Sequence, residues 1–367
     1  MKYQLSSASR VITIVAPGDP SNTHTSDVEY ARVLVEMMRR DILTQILCFE
    51  GHNFLLPRVF FYLRLPRWIL AYTRDMVTQN GVIITVNNLG IMFWTVCVRL
   101  LFRRRYQIIA YIANASGIMQ RSNGLVSRMN TILNRFIWEV GLARCNGILA
   151  NRNGILDRLI PKKHGPILYV PDFLVEAKRS GFFPADRNRI RSLIAIQEDR
   201  LVVGVIGPFH RYNKQSIAYV LDNIDRFGRN AFFLMIGDVR PDDVVHHERI
   251  RFVGRVEKLD EYISACDCIL IPRYVHFGAP MVKMISAMAM GIPVVTNDLE
   301  EMELRPGIDV MLGTLDELPS LVNLLLANSE LAERVGENGR KHIAEHYSIE
   351  SIRAPLFRFV YQFLPER

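Results

Sequence analysis

Short apolar runs rich in β-branched residues alternate with longer segments of helical character along this 367-residue chain. The runs "VITIVAP", "TQILCFE", "GVIITVN" and "QIIAYIAN" are bounded by turn residues, and each predicts a buried strand. Between the first two lies "DVEYARVLVEMMRR", which predicts a helix. "RCNGILAN", the helix-like "NGILDRLI" and "ILYVPD" add a further cycle. Strands and helices in strict alternation predict a parallel α/β sheet. The charged, proline-containing stretch "EAKRSGFFPADRNRIRS" (176–192) interrupts the rhythm and reads as an interdomain region. A second series begins at "LVVGVIGPF" and runs through "IAYVLDNIDRF", "AFFLMIGD", "IRFVGRV", "LDEYISACD" and "CILIPR". It continues into "HFGAPMVKMISAMAM", which ends as a small-residue helix, and the strand "GIPVVTND".

The predicted fold class is α/β, with two Rossmann-like doubly wound domains facing across a cleft. A chain of 367 residues with 49% hydrophobic content can bury a large core and is expected to split in two. The domains fall at 1–180 and 181–347, and the helix predicted over 348–367, "SIESIRAPLFRFVYQFL", is expected to cross back onto the first. Paired doubly wound sheets leave a crevice at the carboxyl ends of their strands, where a ligand is expected.

Four features narrow the function class. The longest apolar run, 89–98, is stopped by Arg99 and is too short to span a bilayer. "VITIVA" near the start is followed by no small-residue cleavage pattern, so the chain is expected in the cytoplasm. Five scattered cysteines make no disulfide framework, and Cys266 and Cys268 in "SACDCILIP" are expected in the core, where a helix runs into a strand. "HIAEH" (342–346) matches the inverted zinc-protease pattern, with two histidines one helical turn apart. It sits in the polar segment "AERVGENGRKHIAEHY" and is expected as a solvated helix face, not a metal site.

The net charge of +8 and pI of 9.3 favour anionic partners: nucleic acid, anionic lipid or phosphorylated small molecules. Basic residues lie among aromatics in "LLPRVFFYLRLPRWILAYTR" (55–74) and "FWTVCVRLLFRRRYQ" (93–107). These segments have two readings, an interfacial membrane surface holding anionic lipid or core helices with a basic end. No zinc finger, RNP segment or KH loop is present, so no nucleic-acid partner is expected.

The ordered set "VIGPF…NK", "FFLMIGD", "RIRFVGRV…LDEYISACDCILIPR", "AMAMGIPVVTND" and "LANSELAERVGENGRKHIAEHYS", over about residues 201 to 350, resembles the donor-binding domain of GT-B glycosyltransferases. The likeness is to the retaining family 4 group, the glycosyl transferases group 1. The first half is similar to the acceptor domain through "VAPGDPSNTHTSDVEYARVL" and "RCNGILANRNGILDRL". The resemblance implies a hexosyltransferase-like, retaining enzyme. It would move a sugar from a UDP- or GDP-sugar to an acceptor hydroxyl, with no metal or other cofactor. The interfacial reading of segments 55–74 and 93–107 adds the expectation of a lipid-linked acceptor, beside a glycan one, and of a cytoplasmic chain peripheral at the inner face of the membrane.

The same resemblance implies roles for residues. Arg211 and Lys214 in "PFHRYNK" correspond to the cations on the donor diphosphate, where they would stabilise charge on the leaving group. Gly254 and Arg255 of "FVGRV" correspond to the turn at the nucleobase, and Gly18 to the glycine loop facing the phosphates. The family has two glutamates separated by seven residues before "AMA-x-G-x-P-V-V"; here Gly278 and Ser286 occupy those positions. Ser286 can still hydrogen-bond a ribose hydroxyl, without the reinforcement of charge. Lys283, one turn earlier, resembles the lysine of family variants with K-x-x-E and is expected near phosphate or sugar. Many relatives place a histidine opposite the donor sugar; here Asn114 and Ser116 of "IIAYIANASG" stand there, and His24 and His276 are the candidates to approach from other loops. The missing carboxylates leave a second reading open, a non-catalytic sugar-nucleotide-binding or scaffold subunit of a glycosyltransferase complex.

Overall fold

The computed structural model describes residues 11–17, 34, 43–49, 81–86, 89–101, 106–112, 125–150, 165–170, 184–197, 199–209, 214–274, 282–299 and 302–364. The chain divides into two compact units, 1–171 together with 352–367, and 172–351.

The first unit is built on a six-stranded sheet in the order β2-β1-β3-β4-β5-β6. Its strands are β1 (Val11–Pro17), β2 (Leu43–Phe49), β3 (Val82–Val86), β4 (Gln107–Ile112), β5 (Gly147–Ala150) and β6 (Ile167–Tyr169), and every neighbouring pair is parallel. Parallel strands are covered on both faces, which is why β3 and β5 are buried at every position. Helices α1 (Leu89–Leu101) and α2 (Leu125–Leu142) pack together and close one face, bringing Ile91, Met92, Val96, Trp138 and Leu142 onto Ile83, Ile108 and Ile148. Of the two readings of 93–107, the core helix is therefore the one observed for most of α1; only its end, Leu100 and Leu101, is exposed. The segment 55–74 lies outside the described residues. The unit is completed by the carboxy-terminal residues, whose Phe359 and Phe363 meet edge to face at 5.4 Å over the start of β5. Gly147 makes room for them, since a Cβ there would stand 2.7 Å from Phe363 Cζ.

The second unit repeats the architecture with the order β12-β11-β10-β7-β8-β9. Here the strands are β7 (Leu201–Ile206), β8 (Ala231–Ile236), β9 (Ile250–Gly254), β10 (Cys268–Ile271), β11 (Val294–Thr296) and β12 (Met311–Leu312). The two-residue period of a strand divides its side chains between two cores. Phe232, Leu234 and Ile236 face one, with Ile269 and Ile271, while Ala231, Phe233 and Met235 face the other, with Cys268 and Leu270. Cys266 and Cys268 are wholly buried, and burial pushes the Cys266 thiol up to about 12. The helices are α3 (Pro184–Leu193), α4 (Lys214–Asp222), α5 (Leu259–Ser264), α6 (Val282–Ala289), α7 (Leu318–Ala327), α8 (Ser329–His346) and α9 (Ile349–Tyr361), the last running on into the first unit.

Two sequence expectations change here. Residues 184–193, within the stretch read as an interdomain region, form helix α3 packed on α5. Its arginines share a half-buried partner: Arg187 and Arg191 each donate to Asp267 at 2.6 Å, and Val202 N donates to the same carboxylate at 2.6 Å. The "HIAEH" histidines are also not a uniformly solvated face. His346 is exposed, but the His342 side chain is 11% exposed and stands 3.8 Å from Asp309, a carboxylate wholly buried and held by Arg305 at 2.7 and 2.8 Å.

Among the described residues no helix is long and apolar enough to cross a membrane.

Candidate functional site

The order of the second sheet contains one reversal. From β7 the chain moves outward through β8 to β9; β10 then returns to the other side of β7 and the chain continues outward through β11 to β12. At such a switch point the connections leave β7 and β10 in opposite directions, and a crevice opens beyond the carboxyl ends of those two strands.

Lys283 lies across that opening. It occupies the first turn of α6, after β10, and its Nζ donates to the carbonyl of Ile206, the last residue of β7, at 3.0 Å. Burial, and then the charge of Arg273, lower its pKa from 10.5 to about 8. Arg273 follows β10 by two residues; its amide donates to Asn297 Oδ1 at 2.7 Å, and Asn297 Nδ2 returns a bond to its carbonyl at 2.8 Å. The loops after β10 and β11 are thereby tied together, with two cationic side chains at the strand ends. Ser286 is half-buried one turn along α6 from Lys283.

On the other side of β7 the strand ends carry glycines. Gly207 N donates to Ile236 O at 3.0 Å, and Gly237 N donates to Gly254 O at 2.8 Å. Gly237 has φ of +139°, and a Cβ on it would stand 1.6 Å from Gly207 O, so the two loops meet backbone to backbone. Gly254 has φ of +70° with nothing within 4 Å of where a Cβ would be. The ends of β7, β8 and β9 thus form a ledge without side chains, open above Gly254. Arg255 follows it and is exposed.

Lys214 opens α4, the helix after β7. Its Nζ pairs with Asp243 at 2.7 Å, from the loop after β8, so its charge is already engaged by a side chain that is 14% exposed. The start of α6, like that of α4, directs the positive end of a helix dipole to the carboxyl end of the sheet.

Of the residues singled out from sequence, Lys214, Gly254, Arg255, Lys283 and Ser286 all lie at this end of the second sheet. Gly18, His24, Asn114, Ser116, Arg211, His276 and Gly278 lie outside the described residues. Arg273 was missed; its signal was an arginine directly after the apolar strand and proline of "CILIPR". A groove of about 910 Å³ opens at the other end of the same sheet, beside Leu201, Asp267 and Pro293 at the amino ends of β7, β10 and β11. It holds the Arg187–Asp267 and Glu337–Arg340 pairs, a mixed-charge lining remote from the switch point. Among the described residues no group of three His, Cys, Asp or Glu could hold a metal ion.

Residues 200–327 match the family model for Glycosyl transferases group 1. No curated protein matches the sequence. Sucrose-phosphate synthase from Thermosynechococcus elongatus superposes with a TM-score of 0.75 at 17% identity, covering 96% of this chain and 98% of that one. HepE from Anabaena, in complex with UDP and glucose, gives 0.69 at 14% identity, covering 96% and 100%. A glycosyltransferase from Rickettsia africae gives 0.68 at 11% identity, covering 97% and 98%. The fold is GT-B, and the switch-point residues lie in the portion that carries the family match.

Proposed function

We propose, from the premise that residues 200–327 form a group 1 glycosyltransferase domain on a GT-B frame, that this chain transfers a sugar from a nucleotide-sugar to an acceptor hydroxyl. In this reading the donor is a UDP- or GDP-sugar, the enzyme is of the retaining family 4 kind, and the acceptor is lipid-linked or a glycan. The UDP and glucose bound by HepE are a donor chemistry of the class intended.

The observation that carries the reading is Lys283, an enclosed ammonium over the carboxyl end of β7, beside Arg273 and at the start of α6. A diphosphate placed there gains two cations and a helix terminus. Each interaction strengthens as the leaving group takes on charge. The ledge over Gly254 offers bare backbone to a flat base. Ser286 offers a hydroxyl to ribose. The bond from the anomeric carbon to the donor phosphate oxygen breaks, and the acceptor oxygen bonds to the same face of that carbon. The acceptor proton passes to the departing diphosphate. These steps invoke no metal or organic cofactor, and they draw on cations and helix ends, not on the carboxylates replaced by Gly278 and Ser286.

A second reading, a non-catalytic sugar-nucleotide-binding or scaffold subunit, is favoured by those two replacements and by the engagement of Lys214 with Asp243. Calorimetry with UDP, GDP and their sugars, followed by donor hydrolysis and by transfer to lipid-linked and glycan acceptors, separates the two. The enzyme reading expects turnover that falls at least about tenfold in Lys283→Ala, the loss of one charged contact. Tight binding with no turnover on any acceptor leaves the subunit. No binding of any nucleotide removes both.

A further inference from the structure

The two lysines at the carboxyl end of the second sheet are held in opposite ways. Lys283 donates to a backbone carbonyl and has the guanidinium of Arg273 for a neighbour, so its surroundings add positive charge. Lys214 has a carboxylate for its partner, with Nζ standing 2.7 Å from Asp243 Oδ1. That pair ties the first residue of α4, after β7, to the loop that follows β8.

The two members of the pair are unequal. The Lys214 side chain is 59% exposed, on a flexible four-carbon stem, whereas that of Asp243 is 14% exposed. Asp243 ends a single 3₁₀ turn, Pro241–Asp243, that holds its backbone: its amide donates to Arg240 O at 2.9 Å, and Val244 N donates to Pro241 O at 3.2 Å. Asp243 Oδ2 is buried and, among the described residues, has no hydrogen-bond partner. The carboxylate is thus compensated through one oxygen, by a lysine that solvent can reach. It keeps a claim on that lysine, because losing it leaves a poorly hydrated anion. The lysine is the partner free to move.

We infer that Asp243 is a built-in competitor of the donor diphosphate: it holds Lys214 until a diphosphate draws the lysine away, and so sets how tightly the phosphates are bound. This role rests on the donor reading, since it takes Lys214 to be a phosphate contact. Two anions then bear on one cation, and each weakens the hold of the other. A nucleoside without phosphates has no part in that competition. Asp243 therefore lowers the affinity for a nucleoside diphosphate and leaves the affinity for the nucleoside alone. Lys283 and Arg273 supply attraction on the β10 side of the switch point, and the Lys214–Asp243 pair limits it on the β8 side.

The test is calorimetry on the full chain with UDP against uridine, and GDP against guanosine, for the wild type, Asp243→Asn, Asp243→Ser, Lys214→Met and the double variant Lys214→Met/Asp243→Asn. Both Asp243 variants are expected to bind the diphosphate about fivefold more tightly, the worth of one partly exposed ion pair, and the nucleoside as the wild type does. Lys214→Met should weaken diphosphate binding about twofold in the wild type, where the lysine is shared, and about tenfold in the Asp243→Asn chain, where it is not. Asp243 variants that bind the diphosphate no more tightly overturn the inference. So does an equal gain for the nucleoside, which would mark a general loosening of the site. A gain that survives intact with Lys214→Met would make Asp243 a direct repellent of phosphate and overturn the competition as well. So would a tenfold loss from Lys214→Met alone, a measurement that needs no change at Asp243. If no chain, wild type or variant, binds either nucleoside diphosphate, the donor reading falls and this role with it; if the wild type binds and the Asp243 variants bind no tighter, this role falls alone.

Discussion

Replacing Lys283 by methionine separates what this residue does for the fold from what it does for a ligand. In the folded chain its pKa is lowered from 10.5 to about 8, first by burial and then by Arg273. That gap corresponds to on the order of 3 kcal/mol. Below pH 8 the lysine is protonated whether folded or unfolded, and the whole cost of enclosing the charge is present. Between about 8 and 10.5 the folded chain gives up its proton while the unfolded chain keeps it, and stability recovers as pH rises. Methionine is similar in length and uncharged. It removes that cost but also the bond to the Ile206 carbonyl, worth about 1 kcal/mol. The net expectation at pH 7 is a gain of about 1–2 kcal/mol, or a rise of roughly 3–6 °C in the melting of a unit of this size. Differential scanning calorimetry is the suitable assay, because all three tryptophans, Trp68, Trp94 and Trp138, fall in the first unit and fluorescence would not report on the second. Protection by UDP should be lost in the same variant, and the gain over wild type should shrink by pH 9.5. A variant that melts below wild type at pH 7, or a gain equal at both pH values, would refute the reasoning and make Lys283 a structural ammonium.

Gly237→Ala should cost several kcal/mol or prevent folding, since its Cβ would fall 1.6 Å from Gly207 O, whereas Gly254→Ala, with open space around it, should cost only about 1–2 kcal/mol for its positive φ; urea denaturation followed by circular dichroism measures both. Asp267→Asn should lower stability by about 2–3 kcal/mol in the same assay, because Arg187 and Arg191 lose the charge that both of them share. His342 has its pKa lowered, first by burial and then by His346, with Arg305 acting in the same direction and Asp309 and Glu345 opposing. Its contribution is therefore present above the ordinary histidine range and is lost as pH falls below about 6.5, and His342→Gln should flatten the melting profile between pH 7 and 5. Ser286→Glu should strengthen uridine binding through ribose and weaken the added contribution of the diphosphate by neutralising Lys283; calorimetry with uridine and UDP that shows both moving the same way would count against the placement of either group.

Much of the second unit could be read directly because a parallel sheet covered on both faces leaves a strong trace. "AFFLMI" and "CILI" are uninterrupted apolar runs, and each supplies side chains to both cores. Helix α3 could not be read so directly. Among the described side chains of "PADRNRIRSL", Ile190 is the deeply buried apolar residue, and the partners of its arginines, Asp267 and Glu261, lie more than seventy residues further on. Charge beside proline looks like a linker when the carboxylate that organises it is remote in sequence. His342 is a similar case. A polar helix pattern says nothing of Asp309, which becomes wholly buried only when the segment before β12 folds against α8.

The site shows the same division between residue type and partner. Sequence supplied Lys214 and Lys283 as two cations near a phosphate, and nothing local distinguishes them. In the folded chain Lys214 is exposed and paired with Asp243, while Lys283 is enclosed, with Arg273 beside it and the Ile206 carbonyl as its acceptor. An ion pair at a surface costs little to break. An enclosed ammonium next to a second cation holds unfavourable energy that an incoming anion can relieve. The absence of a carboxylate at position 286 then has a physical consequence. A glutamate one turn from Lys283 would place an opposite charge beside it, whereas Ser286 adds none. In the proposed donor-binding reading, the serine at position 286 and the enclosure of Lys283 act together, and the donor is held through its diphosphate more than through its ribose.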